Sequence, residues 1–275
     1  MSAYRFCRTD DIGLLVDALN RCWRPHFPHE PPATAASFKR SIRDLQVWCS
    51  SCMVAFAGAD PIGVLIGAKR ASGTLVHRLA VHPDHLRQGH GRHLLESLAS
   101  KLAILGPPRL AAEVPESFAA ARALFGSCGY VEEAVLTDYV REKALDLGVA
   151  AHCGLVIPVT VDDLAANGLL ATPHAPWERS VEALMARKDE IEGRAVASDE
   201  GLEAAVLYIK EEVILLRSFV EDEGGRLRQL LGGLDAVALR LPKVAPAELS
   251  APLLESLGFR PASRHVVYAA RAQSA

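Results

Sequence analysis

Through the first half of the 275-residue chain, apolar positions come in short strand-like bursts, each closed by Gly, Pro or Asp turn chemistry. YRFCR near the start, CMVAFAG (52–58), PIGVLIGAKR (61–70) and TLVHRLAV (74–81) are the four predicted strands. Gly58-Ala59-Asp60-Pro61 joins the second and third as a hairpin. Between the first strand and this hairpin, DIGLLVDALNRCW and AASFKRSIRDLQVW space their apolar residues by three and four, which predicts two helices. GRHLLESLASKLAIL (91–105) sets Leu94, Leu95, Leu98 and Leu102 on one helical face. RLAAEV (109–114) then reads as strand, ESFAAARALFGSC as helix and GYVEEAVLTDYV as strand. The order β-α-α-β-β-β-α-β-α-β predicts an α/β (α+β) unit, a mixed sheet flanked by helices.

The same order recurs, more faintly, after about residue 150. LVIPVTVDDLAANG opens as strand then helix, RSVEALMARKDEIEG continues as a helix, and RAVASDEG, LEAAVLYIKEE and VILLRSFVE read as three strands. GRLRQLLGGL stands where the first half has GRHLLESL, AVALRLP is strand-like, and LSAPLLESLGFRP parallels AARALFGSCGYVE. An internal duplication accounts for both halves. The expected domains are 1–145 and 150–275, with a linker inside REKALDLGVAAHCG (141–154).

Composition adds exclusions. A hydrophobic share of 50% and a charged share of 23% are those of a globular protein. The net charge of -3 gives no global field for nucleic acid or anionic lipid, so neither is an expected partner. MSAYRFCRTDD has no long apolar core, and no run approaches the roughly 18 apolar residues of a membrane span. The expected setting is the cytoplasm, with the six cysteines as reduced thiols. Cys49-Ser50-Ser51-Cys52 is a single CxxC without a second pair, weak as a zinc or redox signal.

The stretch LAVHPDHLRQGHGRHLL (79–95) carries the chemistry. A strand ends, Gly89 and Gly91 follow, and a helix begins at once. Glycines let backbone N–H groups converge on an anion while the helix N-terminus adds unpaired donors and its dipole, which is the make-up of a diphosphate cradle. A P-loop needs Gly-Lys-Ser/Thr, and a dinucleotide fingerprint needs a small residue where Leu94 stands. With its strand and helix order, the pattern resembles the GCN5-related N-acetyltransferase (GNAT) family over residues 4–140. That family binds the acetyl-CoA pyrophosphate at an Arg/Gln-x-x-Gly-x-Gly/Ala turn.

The resemblance implies a tandem acyl-CoA N-acyltransferase fold with acetyl-CoA as cosubstrate. Backbone of Leu79, Ala80 and Val81 would serve the pantetheine and thioester. Leu86, Arg87, Gln88, Gly89, His90, Gly91 and Arg92 would surround the diphosphate. The family's leading Arg/Gln falls on Leu86, so one side-chain contact is missing. The second half reads RSFVEDEGGRLRQLL at the loop, where Glu221, Asp222 and Glu223 oppose a diphosphate. It is expected to be a degenerate copy.

The implied reaction is attack of an amine on the thioester. An alkylamine with a pKa of about 10.4 is protonated at neutral pH, so a proton must be removed. His77 is the first candidate base, matching a strand histidine of some arylamine-type members; Glu113, at the end of the next strand, is the alternative. The family's thiolate-protonating tyrosine falls on Phe125 and its asparagine on Phe118. His26-x-x-His29, His82-x-x-His85 and His90-x-x-His93 lack a completing ligand set, so no metal is expected. In WRPHFPHEPP (23–32), Trp23, His26, Phe27 and Glu30 are candidate acceptor-pocket residues. The expected activity is N-acetylation of a small amine. A non-catalytic acyl-CoA-binding or regulatory role and a peptide or protein acceptor remain alternatives, and the chain is read as a monomer or homodimer.

Overall fold

Leu15, Ala18, Leu19 and Cys22 recur at helical spacing, and all four are buried where helix α1 (Ile12–Cys22) packs on strand β3 (Asp60–Arg70). The structure is a computed structural model that describes residues 2–142, 154–171, 175–234 and 238–272. Around α1 and β3 the first half is built from β1 (Ser2–Phe6), α2 (Ala35–Leu45), β2 (Met53–Ala57), β4 (Gly73–Val81), α3 (His90–Leu105), β5 (Arg109–Pro115), α4 (Ala119–Ser127) and β6 (Val131–Arg141). Thr34 caps α2 by accepting from the Ser37 N–H at 3.1 Å, and Ser37 Oγ accepts from the Thr34 N–H at 2.9 Å. The Leu94, Leu95, Leu98 and Leu102 face of α3 meets Met53, Leu65, Val76 and Leu110 in one core.

Beyond residue 154 follow β7 (Leu155–Pro158), α5 (Val161–Ala166), α6 (Val181–Ala186), β8 (Glu192–Ser198), β9 (Gly201–Ile209), β10 (Glu212–Ser218), α7 (Gly225–Gly232), β11 (Leu239–Val244), α8 (Ala251–Ser256) and β12 (Arg260–Arg271). One helix is shorter than expected: RSVEALMARKDEIEG is helical only to Ala186, and a 3-10 turn covers Lys188–Glu190. Asp189 and Glu190 are acidic where the dipole favours cations, and Lys188 turns away to pair with Asp162 at 2.8 Å. The first part of AVALRLP and residues 143–153 of the expected linker lie outside the described residues.

The chain gathers into two units, Met1–Ala134 with Val266–Ala275, and Val135–His265. In the first the strand order is β1-β2-β3-β4-β5, then the end of β12, then the start of β6. In the second it runs from the start of β12 through the end of β6 to β11-β10-β9-β8-β7. These limits differ from the expected 1–145 and 150–275 at two strands: the division falls inside β6, between Ala134 and Val135, and the end of β12 returns to the first unit. Val266 and Tyr268 are buried in the first unit's core, Tyr268 stacking on Phe125 with centroids 5.8 Å apart. The Tyr268 hydroxyl donates to Glu132 at 2.6 Å and accepts from Arg122 at 3.3 Å. The five described cysteines are free thiols. Among the described residues no helix is long and apolar enough to cross a membrane.

In the second unit, Asp138 accepts from His265 at 2.9 Å, from Ser263 and from the Lys243 N–H at 2.8 Å. Burial pushes its pKa up, and these hydrogen bonds outweigh that and lower it to about 2. Its stabilising contribution is therefore complete above the unfolded value of about 3.9 and is lost as pH falls towards 2. Acid titration of Asp138→Asn should show a flatter loss of stability across that interval than the parent. In urea denaturation, Tyr268→Ala should cost about 3 kcal/mol, and Tyr268→Phe about 1 kcal/mol.

Candidate acyl-CoA and acceptor site

Strand β4 pairs with β3 along its length, but the register slips between Ile66 and Gly67, leaving His77 as the extra residue of a β-bulge. On its other side, β4 pairs in parallel with β5 only at Thr74↔Leu110 and Leu75↔Ala111. Beyond Leu75 the two strands part. The His82 N–H donates to Ile62 at 2.9 Å and Ala80 sits opposite Val64, so alternation directs the backbone of both towards β3. The N–H and C=O groups of Leu79 and Val81 therefore face the opened gap. Of the three residues expected to serve a thioester arm, Leu79 and Val81 have backbone available to it, and Ala80 does not.

Past the end of β4 the chain makes the expected loop. Arg87 and Gly89 adopt left-handed conformations, φ 61° and 86°, and Gly89 is the N-cap of α3. No side chain caps this helix, so its first-turn N–H groups are open to another acceptor. A Cβ on Gly91 would lie 3.0 Å from Leu124 Cδ2, which makes glycine a packing requirement at the α3–α4 contact. Leu86 is 46% exposed and Arg87 is exposed. Gln88 donates to the Asp84 carbonyl at 3.4 Å. Arg92 donates to the Ser127 carbonyl and hydroxyl, both at 3.1 Å, which holds its charge beside the loop. His90 is buried, its Nδ1 bonded to the Tyr4 hydroxyl at 2.7 Å. Burial, then His85 and His93, lower its pKa, so the ring is neutral near pH 7.

The segment between α1 and α2 covers the end of β4. His26 Nε2 donates to the Val81 carbonyl at 2.8 Å, which fixes the tautomer with Nδ1 as the acceptor nitrogen in the neutral ring. Trp23 stacks on Phe27 at 4.1 Å and donates through Nε1 to Glu30 at 3.1 Å. Arg78, which the sequence reading did not single out, lies over the Trp23 ring at 4.9 Å and pairs with Glu30 at 3.2 Å. Phe27 in turn meets Phe118 at 5.2 Å. All four residues proposed for an acceptor pocket thus belong to one cluster, with Arg78 and Phe118 added.

His77 and Glu113 are both half-buried. His77 lies two residues beyond Leu75 on β4, and Glu113 two residues beyond Ala111 on β5, where the two strands have parted. Leu110, Ala112 and Val114 fill the core against α3, so Glu113 projects from the other face of β5. Phe125 is 4% exposed, packed between Tyr268 and Tyr130, and supplies no proton donor to the gap.

The second unit repeats this plan with its openings filled. Strand β10 carries a bulge at Ile214, and β10 and β11 pair in parallel only at Glu212↔Arg240. Between them lies Arg179, 6% exposed, donating to the Ile214 carbonyl at 3.4 Å, the Lys243 carbonyl at 2.7 Å, and both oxygens of Glu248 at 3.1 and 2.7 Å. The loop before α7 has Glu223 and Gly224 left-handed, φ 53° and 81°. The Asp222 carboxylate accepts from the Gly224 N–H at 3.1 Å and the Arg226 N–H at 2.6 Å. Where an anion would bind, this unit holds its own carboxylate. Asp222 is further paired with the Arg226 guanidinium at 3.2 Å.

Residues 13–130 match the family model described as "Acetyltransferase (GNAT) family". The match to that family thus lies within the first unit, and the whole chain has the tandem GNAT fold. It is similar to a tandem GNAT protein from the clavulanic acid biosynthesis pathway, at 18% identity with a TM-score of 0.67 over 100% of both chains. A GCN5-related N-acetyltransferase from Sphaerobacter thermophilus shares the fold at 15% identity, TM-score 0.66, over 99% of this chain and 96% of that one. A 61-residue stretch is 46% identical to [ribosomal protein bS18]-alanine N-acetyltransferase of Escherichia coli K12, covering 22% of this chain. The chain spans about two fifths of that relative's length, 41%.

Gly89→Val forces a β-branched residue into φ 86°, and Gly91→Leu drives a side chain into Leu124. Calorimetry should find acetyl-CoA bound at least about tenfold more weakly by each, with melting temperature separating local loss from unfolding.

Proposed function

We propose that the first unit transfers the acetyl group of acetyl-CoA to the primary amine of a small molecule by direct attack on the thioester. The observation that carries this reading is the parting of β4 from β5 directly before an uncapped helix N-terminus. An extended diamide such as pantetheine would pair with the inward backbone of Leu79 and Val81, as an added strand does, and its diphosphate would take the N–H groups of α3. The Val81 carbonyl now accepts from His26, so His26 would give way to a pantetheine amide there.

In the transfer, the amine nitrogen bonds to the thioester carbon, the C–S bond breaks and CoA leaves as the thiolate. With a thiol pKa of about 8.5, that anion is a tolerable leaving group, which suits a site where Phe125 stands at the position of a proton donor. The inward N–H of Leu79 or Val81 would hold the developing oxyanion. His77 at the bulge takes the amine proton, with Glu113 across the gap as the alternative acceptor. A small acceptor is the preferred reading because Trp23, Phe27 and Phe118 form one aromatic cluster, stacked at 4.1 Å and tilted at 5.2 Å, in the segments that flank the gap. The proposed setting is the cytoplasm.

A protein or peptide α-amine is the second reading, favoured by the 61-residue likeness to an enzyme that acetylates an alanine of a ribosomal protein. The test is CoA release from acetyl-CoA with a panel of small amines and an alanine-initiated peptide. Transfer to a small amine supports the proposal, transfer only to the peptide supports the second reading, and tight acetyl-CoA binding without any transfer supports the non-catalytic alternative. His77→Ala should lower kcat by roughly 10²-fold or more and leave acetyl-CoA affinity within about twofold; a fall of that size in Glu113→Gln alone would move the base to Glu113.

A further inference from the structure

We infer, resting on the small-amine reading above, that the acceptor carries its primary amine on an aromatic or similarly broad apolar group, and that this group seats against Phe27 and Phe118.

Phe118 is the starting point. It is the N-cap of α4, a position where Ser, Thr, Asp or Asn would satisfy a first-turn N–H, and its side chain makes no capping bond. It is also 37% exposed, so core packing does not account for an aromatic residue there. Its ring contact is Phe27, 5.2 Å away and tilted by 52°. Phe27 comes from the α1–α2 segment and Phe118 from the turn after β5, so the pair spans the mouth of the gap where β4 and β5 part.

The two rings are held differently. Phe27 stacks on Trp23, Trp23 is fixed by Glu30 and covered by Arg78, and His26 ties the same segment to Val81. Phe118 stands at an exposed helix start and, among the described residues, meets the ring of Phe27. A ring entering the gap would rotate Phe118 outward and replace one aromatic contact with another, at little loss. Arg78, over the neighbouring Trp23 ring, is paired with Glu30 at 3.2 Å. What Phe27 and Phe118 themselves offer an acceptor is shape and apolar area. Apolar pockets separate acceptors by roughly 10- to 200-fold.

The test uses the full chain. Steady-state kcat/KM is measured with 2-phenylethylamine, ethanolamine and an alanine-initiated hexapeptide, for the parent, Phe118→Asn, Phe118→Leu and Phe27→Ser, with acetyl-CoA affinity measured on the same preparations. The expected result is a phenylethylamine-to-ethanolamine ratio of about tenfold or more in the parent. That ratio should fall to near one in Phe118→Asn and Phe27→Ser and stay between in Phe118→Leu, with acetyl-CoA affinity within about twofold throughout. A parent that acetylates ethanolamine as well as phenylethylamine overturns the acceptor class and leaves the small-amine reading standing. Equal losses for both amines in the variants overturn the role of the two rings. Transfer to the peptide alone, or none at all, overturns both the inference and the reading beneath it.

Discussion

A strand in the interior of a sheet has to pair its main chain on both sides, and β4 does so only at its start, where Thr74 and Leu75 meet β5. From Leu79 to Val81 its inward N–H and C=O groups open on a gap. Unpaired backbone in a partly buried place is costly, so such a gap persists only where something of matching chemistry occupies it. His26 meets one of the four groups, the Val81 carbonyl. The remaining features follow from the bulge at His77 that turns β4 away from β5. It aims the end of the strand at the left-handed turns of Arg87 and Gly89, and these deliver the uncapped start of α3 to the same spot. Strand edge and helix start together present the donors and acceptors that the proposed extended amide ending in an anion would need.

The second unit meets the same constraint with its own side chains. Arg179 lies between β10 and β11 and bonds to a carbonyl of each, and Asp222 takes the N–H groups at the start of α7. The Arg179–Glu248 pair is buried and doubly hydrogen-bonded, and removing one partner of such a pair typically costs about 3–5 kcal/mol. A ligand would have to displace both this pair and the Asp222–Arg226–Glu203 network. Duplication has kept the architecture and closed the site. The second bulge carries Ile214 where the first has His77, the proposed base.

Much of this was legible in the sequence, and the reasons differ by element. The strand order and the α3 face rest on periodicity that tertiary contacts reinforce, so TLVHRLAV and the leucines at 94, 95, 98 and 102 read through directly. The cradle was legible because only glycine suits φ 86° at Gly89 and the tight approach to Leu124 at Gly91. The acidic VEDEGG turn was read as repelling an anion; the direct cause, Asp222 bonded to the helix N–H groups, is a geometry that charge alone does not disclose. Arg78 was not legible, because a lone cation in a strand carries no sign of a tryptophan 55 residues earlier. Nor was the return of Val266–Ala275 to the first unit, since the alternation in HVVYAA states that a strand forms and not which core receives it.

In the proposed function one unit is open to acetyl-CoA and the other is closed by its own charged groups. Calorimetric titration of the full chain with acetyl-CoA reads this from the number of sites. One site per chain is expected, abolished or strongly weakened by Gly89→Val and unchanged in number by Asp222→Asn as long as Arg179 and Glu248 remain. Two sites in the parent, or one site that survives Gly89→Val with full affinity, would contradict it.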